Sequence, residues 1–193
     1  MNRNFAILIV CIILLSWSGP SLGCLSNTIN IGIFNTDKSR LSAELISQII
    51  GERTGTNVKL LIYNSEIELN EALNITIRDY RIDLLVENPE KIVDIKKITI
   101  SKTATHVQPN DKNNPVLFIQ TPFIIGSKDE GASETSIFYR SDLLEDFPLL
   151  PRLLTKLSRS LDFKSQEQLL QFIADGEKPR NVARDFLKRR NLI

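Results

Sequence analysis

The sequence has little of the side-chain chemistry on which most recognisable enzyme and metal sites depend. It contains one His, His106, so no site in this chain can use two imidazoles as ligands or as a proton-transfer pair. Two Cys exclude a disulfide framework and a four-thiolate zinc site. The 24 basic and 23 acidic residues nearly cancel, which gives no electrostatic reason to expect nucleic acid. We therefore assign no catalytic residue, no metal and no cofactor.

The composition that remains is that of one globular domain. The chain has 193 residues, of which 42% are hydrophobic and 24% charged. These values argue against disorder, and the length suits one ordinary domain better than two.

The first 23 residues have the pattern of a secretory signal peptide. Arg3 precedes an apolar run of 13 residues, Phe5–Trp17. A helix of that length is about 20 Å long, too short for a bilayer core of about 30 Å. Small residues, Ser21 and Gly23, occupy the two positions that a signal peptidase reads. The expectation is a signal over 1–23 and a mature domain over 24–193.

Cys24 is then the first mature residue and the only mature cysteine, since Cys11 leaves with the signal. Its placement resembles a bacterial lipobox, in which the cysteine carries the lipid anchor. This resemblance implies lipidation at Cys24 and anchoring to a membrane of the cell envelope. The alternative is ordinary cleavage that leaves a free N-terminal thiol.

The mature chain begins with alternating strand and helix patterns. Strands are predicted at Thr28–Phe34, Val58–Tyr63 and Ile82–Glu87. The first intervening helix is expected to end at Gly55 in a left-handed cap, and the second to begin at Ser65 in a capping box. Because crossovers between such strands are right-handed, the three strands are predicted to be mostly parallel.

The middle of the chain has a weaker pattern. Lys91–Ile100 alternates as an edge strand does, and two short apolar runs, Val116–Gln120 and Phe123–Ile125, predict strands separated by Thr121 and Pro122. The polar segments 106–115 and 126–133 are predicted to be loops.

The last third is predicted to be helical. One apolar stripe is expected from Leu149, Leu150, Leu153, Leu154, Leu157 and Leu161. A final helix is expected to begin at Pro179. Its basic residues favour a solvated helix face, with an acidic partner or lipid head groups as the alternative.

Two stretches resemble one family. INIGIFNTDKSRLSAELISQIIGERTGTNVKL, with EALN and IDLLVENPEK, is similar to the N-terminal lobe of substrate-binding proteins for glycine betaine, choline and related osmolytes. FYRSDLLEDFPLLPRLLTKLSRSL, with GEKPRNVARDFLKRRNLI, is similar to the C-terminus of the same family. Counted from Ile29 to Lys91 and from Phe138 to Ile193, the two stretches span about 120 of the roughly 170 residues after Gly23.

The resemblance implies a type II periplasmic-binding fold, no enzymatic activity, and delivery of a small cationic or zwitterionic solute to the membrane permease of an ABC importer. About 50 residues separate Glu87 from Tyr139, whereas a second lobe needs about 100. The expectation is therefore an α/β main lobe over 28–100 and 135–193, with C-terminal helices. Residues 101–134 would be the remnant of a stunted second lobe.

Candidate ligand-binding residues follow the predicted parallel strands, where open α/β sheets bind ligands. They are Asn35, Thr36, Asp37, Lys38, Ser39, Tyr63, Glu87 and Asn88. Glu87 is the candidate that would face a cationic solute, whereas Asp83 is read as isolated. An aromatic cage is not expected, since the only Trp, Trp17, lies in the signal. The alternative function is a ligand-free envelope scaffold that keeps one lobe of the binding-protein fold.

Overall fold

A computed structural model describes residues 28–75, 77, 79–87, 100–101, 118–122 and 135–193. The strands are β1 (Ile29–Phe34), β2 (Val58–Tyr63), β3 (Leu84–Glu87), β4 (Ile100–Ser101), β5 (Phe118–Pro122) and β6 (Ser136–Arg140). The helices are α1 (Asp37–Thr54), α2 (Glu66–Leu73), α3 (Leu143–Asp146), α4 (Leu150–Ser160), α5 (Phe163–Ala174) and α6 (Pro179–Arg189).

The strands form a mixed sheet in the order β2-β1-β3-β6-β5-β4. β1 pairs in parallel with both β2 and β3. β6 runs antiparallel to β3, with Glu87 opposite Ser136, and antiparallel to β5. The predicted α/β class, the parallel β1–β3 core and the C-terminal helices are confirmed. The return of the chain as an antiparallel strand beside β3 was not predicted.

The larger core lies between one face of the sheet and helices α1, α4, α5 and α6. Alternate residues of β1, such as Ile31 and Ile33, point into it because side chains of a strand alternate between faces. Four leucines of the predicted stripe, Leu150, Leu154, Leu157 and Leu161, are buried there.

Leu149 was predicted to share that stripe, and this is wrong. Its side chain is 64% exposed because Leu149 is the N-cap residue of α4 and precedes the first helical turn. Leu153 is half-buried.

The smaller core lies on the other face, beneath α2. It contains Leu69, Ala72, Leu73, Ile82, Leu85 and Phe138. Gly32 of β1 lies against Ile82, and a Cβ atom at Gly32 would lie 2.9 Å from Ile82 Cδ1. The absence of a side chain at Gly32 therefore lets Ile82 pack on the sheet.

The predicted helix ends are confirmed. Gly55 has a φ of 71° and donates its N–H to the Gly51 carbonyl, as a left-handed cap does. Ser65 Oγ accepts from the N–H of Glu68. In a standard capping box the Glu68 carboxylate would accept from the N–H of the N-cap residue, Ser65. Here it accepts from the N–H of Asn64, one residue earlier.

The middle segment agrees only partly with its prediction. β5 continues through Thr121 and Pro122, which were placed between two strands. The predicted signal peptide, Cys24, Asn88, most of Lys91–Ile100, the predicted strand Phe123–Ile125 and the two predicted loops lie outside the described residues. The proposed division into main lobe and remnant stays a prediction. Within the described ranges, no helix has the length and apolarity to cross a membrane.

Candidate functional site

The candidate site lies at the edge where the parallel strands β1, β2 and β3 end. β1 ends at Phe34 directly opposite Tyr63, the last residue of β2. Glu87 ends β3 on the other side of β1. Residues that follow these three strands are therefore brought to one edge, as the sequence predicted for Asn35–Ser39, Tyr63 and Glu87.

The turn from β1 into α1 is held by Thr36. Thr36 has an extended backbone, and its Oγ1 accepts from the N–H of Ser39 at 3.1 Å. The same hydroxyl donates to Ser39 Oγ at 2.8 Å. This N-cap fixes Ser39 in the first turn of α1, with its hydroxyl facing the sheet.

Ser39 in turn contacts Glu87. Ser39 Oγ lies 3.4 Å and 3.5 Å from the two carboxylate oxygens of Glu87, to which it donates. Both side chains are buried, at 6% and 5% exposure. The carboxylate also lies near the N-terminal end of α1, where the helix dipole favours a negative charge. The edge thus holds a buried carboxylate that accepts from the Ser39 hydroxyl near the start of α1.

Two exposed amides, those of Asn35 and Asn64, directly follow β1 and β2. Asn35 Nδ2 donates to Asn64 Oδ1 at 2.8 Å, and the Asn35 backbone N–H donates to the Tyr63 carbonyl at 3.0 Å. Asn64 directly follows the last residue of β2. Its amide links the ends of β1 and β2 and remains open to solvent.

Tyr63 is half-buried, and burial raises the pKa of its phenol. Its ring and the side chain of Phe34 pack against the smaller core. The two aromatic side chains at this edge are therefore part of the packing beneath the site.

The remaining candidates contribute differently. Asp37 is exposed in the first turn of α1, where an acidic side chain favours the helix. Lys38 is half-buried, and its carbonyl accepts from Ser42 Oγ at 2.9 Å. Asn88 lies outside the described residues. Thr36, Ser39 and Glu87 thus form one connected cluster, here called the strand-end cluster, beside Asn35 and Tyr63.

A second polar cluster, which the sequence did not reveal, lies at the opposite edge of the sheet. Asp83 accepts from the N–H of Asn30 at 2.9 Å and from Arg81 Nε at 2.7 Å. Asp142 lies 3.1 Å from Arg81 Nη1 and 3.2 Å from Arg140 Nε. The interpretation of Asp83 as isolated is therefore wrong, because its main partners are a neighbouring strand and the Arg two residues before it.

Burial raises the pKa of Asp83, although the Asn30 N–H and the two arginines oppose that effect. Asp83 precedes β3, and its cluster includes Asn30 of β1 and Arg140 of β6. The cluster therefore connects these three strands, and we interpret it as structural. Among the described residues, no group of three His, Cys, Asp or Glu side chains is arranged to hold a metal ion.

Comparison with known proteins adds no family to this description. Neither a scan of the sequence against protein-family models nor a search of curated proteins finds a match.

Proposed function

We propose that this chain is the exported solute-binding component of an ABC importer, and that its solute is glycine betaine or a related small cationic or zwitterionic amine. The observation that carries the proposal is the buried Glu87 carboxylate at the carboxyl edge of the parallel strands. A cationic solute group is the natural counterpart of a carboxylate in that position.

The folding of the two family-like stretches supports the proposal. The N-terminal stretch supplies β1–β3 and the C-terminal stretch supplies the helices from α3 to α6. They pack into one body, with α6 against α1 and β3 paired to β6. Two stretches distant in sequence therefore pack against each other, as they would in the main lobe of a type II periplasmic-binding fold. Ligands of open α/β sheets bind beyond the carboxyl ends of the strands.

The chemistry of the edge suits a zwitterion better than a simple anion. Glu87 attracts a positive group, while the exposed amides of Asn35 and Asn64 offer N–H donors to a carboxylate. One lobe contacts one side of a small solute, whereas typical pockets bury about 70–90% of a ligand. We therefore expect a dissociation constant no tighter than about 1 mM for glycine betaine.

Titration calorimetry on the purified chain tests this proposal with glycine betaine, choline, carnitine and amino acids. Glu87→Gln keeps the shape of the side chain and removes its charge, so it should abolish binding of any cationic solute that the wild type binds. The matched control is Glu52→Gln, on the exposed last turn of α1. If Glu87→Gln binds that solute normally, the proposed site is wrong. Micromolar betaine affinity would contradict the one-sided site.

A thermal-shift screen is an independent measurement. A solute at 100 times its dissociation constant should add about 2.7 kcal/mol to the free energy of unfolding. For a chain of this size that corresponds to a rise in Tm of about 5–10 °C.

The envelope location is part of the same proposal. Lipidation of Cys24 would hold the protein at the membrane beside its permease. Cys24→Ser should then release the mature protein into the soluble periplasmic fraction. A wild type that is already soluble there, with an unmodified thiol, would contradict the anchor.

A ligand-free envelope scaffold is the second candidate. The packing of Phe34 and Tyr63 into the smaller core favours it, since aromatic rings used for packing are not available for a cation–π cage. This candidate predicts that no solute in the screen shifts Tm or gives heat on titration, whereas solute binding that depends on Glu87 would exclude it.

A further inference from the structure

The outer edge of β2 is unpaired within the described part of the chain. β2 is the first strand in the order of the sheet, and among the described residues it pairs only with β1. It is six residues long, VKLLIY, and Lys59 is its one charged residue. Proteins protect long apolar edge strands with charges, a proline or a covering segment, because free backbone groups recruit other strands. β2 therefore has the features of a strand that accepts a partner strand.

Hydrogen bonds at the two ends of β2 show which of its backbone groups face outward. The N–H of Ile29 donates to the Asn57 carbonyl at 2.9 Å, and the N–H of Asn35 donates to the Tyr63 carbonyl at 3.0 Å. In a parallel pair, every second residue of a strand bonds to the same neighbour. The odd-numbered residues of β2 therefore face β1. The even-numbered residues direct their N–H and C=O groups away from β1, and these are Val58, Leu60 and Ile62.

The side chains of these three residues form an apolar row on one face of the sheet. Val58 and Leu60 pack against the larger core, whereas Ile62 is 45% exposed. Lys59 lies on the opposite face, because neighbouring residues of a strand point to opposite faces. Its Nζ is 5.8 Å from the centre of the Tyr80 ring. The row thus carries no charge, and the charged side chain of β2 lies away from it.

We propose that β2 pairs in antiparallel fashion with β2 of a second copy of this chain, across a twofold axis at Leu60. In that register Leu60 is opposite Leu60, and Val58 of each copy is opposite Ile62 of the other. Every outward N–H and C=O of the three residues is then bonded. Ile62 leaves solvent and packs against Val58 of the second copy. This pairing uses the side of the sheet and does not depend on solute binding at the strand-end cluster.

Charge complementarity selects a second copy in this orientation. Lys59 lies near the start of β2, whereas Glu66 and Glu68 form an acidic first turn of α2 just after β2 ends. Antiparallel pairing places the start of each β2 beside the end of the other, so Lys59 is directed toward the acidic turn of the second copy. Lys59 is itself opposite Leu61, so no like charges are directly paired. A second copy therefore supplies both an apolar row and an opposite charge.

Sedimentation velocity of the full chain over a range of concentrations tests the proposal. Cys11→Ser and Cys24→Ser exclude disulfide-linked dimers, and a mild detergent covers the apolar run Phe5–Trp17. The test variant is Ile62→Lys. The matched control is Ile67→Lys, the same change at an isoleucine that is 72% exposed on α2 and lies outside β2.

We expect the chain with its native Ile62 to form a dimer with a dissociation constant of about 10–100 μM, because strand pairing alone buries a small interface. Ile62→Lys occurs twice in the symmetric interface, so a loss of about tenfold at each site raises the dissociation constant about 100-fold. Ile67→Lys should leave dimerisation unchanged. A parent chain that is still monomeric at about 1 mM, or equal effects of the two substitutions, would overturn the proposal.

Amide hydrogen exchange separates strand pairing from association through side chains alone. The N–H groups of Val58, Leu60 and Ile62 should become protected as the concentration rises in the parent chain and in the control. They should stay exchangeable in Ile62→Lys. Protection of these groups in a monomer would show that another segment of the same chain covers the edge, which contradicts the proposal.

Oxidative cross-linking tests the register. The proposed pairing places residue 59 of one copy opposite residue 61 of the other in a non-hydrogen-bonded pair, with Cα atoms about 4.5 Å apart and within reach of a disulfide. A mixture of chains carrying Lys59→Cys with chains carrying Leu61→Cys should therefore give mainly the mixed product. A mixed product no more abundant than random pairing gives would contradict the twofold axis at Leu60.

Discussion

The Asp83 cluster gives the sharpest prediction about stability. Asp83 is 2% exposed and joins the start of β1, through the N–H of Asn30, to Arg81. Asn30 is equally buried and donates its side-chain amide to the Arg81 carbonyl. Removing the carboxylate therefore leaves a buried N–H and a largely buried guanidinium without their main acceptor.

Asp83→Ala is expected to lower the free energy of unfolding by about 3–5 kcal/mol, the usual cost of leaving one partner of a buried ion pair alone. Asp83→Asn should cost less, about 1–2 kcal/mol, because the Asn carbonyl still accepts from the Asn30 N–H while the Asn NH2 group cannot accept from Arg81 Nε. Asp142 continues to pair with Arg81 in both variants. The control is Asp185→Ala on the exposed face of α6, which should stay within about 0.5 kcal/mol of the wild type.

The destabilisation caused by Asp83→Asn is expected to depend on pH, and the sign of this dependence follows from the pKa of Asp83. The pKa of Asp83 is raised in the folded state because burial penalises its charged form. The folded state then binds the proton more tightly than the unfolded state. The contribution of this carboxyl to stability is greatest below its unfolded pKa and falls as pH rises through the folded pKa. The cost of Asp83→Asn should therefore shrink as pH rises through that interval.

Urea unfolding followed by far-ultraviolet circular dichroism measures these values. With a slope of about 2 kcal/mol per molar, a loss of 4 kcal/mol moves the midpoint by about 2 M. Equal midpoints for Asp83→Ala and Asp185→Ala would refute the structural role of the cluster. A cost of Asp83→Asn that grows with pH would show that the guanidinium charges outweigh burial.

Three further predictions concern packing and backbone conformation, each measured by the same unfolding assay. Gly32→Ala should cost about 1–3 kcal/mol, since the new Cβ lies 2.9 Å from Ile82 Cδ1, and Ile82→Val in the same chain should recover part of the loss; no recovery would point to a backbone cause. Gly51→Ala within α1 should raise the free energy of unfolding by about 0.5–1 kcal/mol. Gly55→Ala should lower it by about 1 kcal/mol, because the φ of Gly55 is 71°. A change of the same sign for both substitutions would contradict the left-handed cap. Leu154→Ala should cost about 2–5 kcal/mol, as its side chain is fully buried, and a loss below 1 kcal/mol would mean that the helices repack around the gap.

The parts of the fold that could be predicted are those set by residues close together in the sequence. The strands β1 and β2, the end of α1 and the start of α6 were predicted within one or two residues, because periodicity and capping are local properties. Gly55 and Ser65 marked a helix end and a helix start through contacts with residues three or four positions away. Residues after parallel strands were predicted to meet at one edge, since the topology follows from the order of the elements.

Properties that depend on partners far away in the sequence could not be predicted from the sequence alone. The antiparallel return of β6 beside β3 is decided by pairing across a long segment, and neither strand's pattern specifies its neighbour. Leu149 follows the leucine spacing of its helix, yet lies one position before the helix begins and so points to solvent.

The sequence by itself determined the alternation of strands and helices, the helix ends and the edge at which the candidate residues gather, because each follows from side chains within a few positions. Only the tertiary structure decided that Asp83 pairs with Asn30, that Glu87 is buried against Ser39, and that Phe34 and Tyr63 are used in packing. Burial and charge pairing depend on which distant segments meet, and a carboxylate has the same appearance in a sequence whether it is solvated or buried.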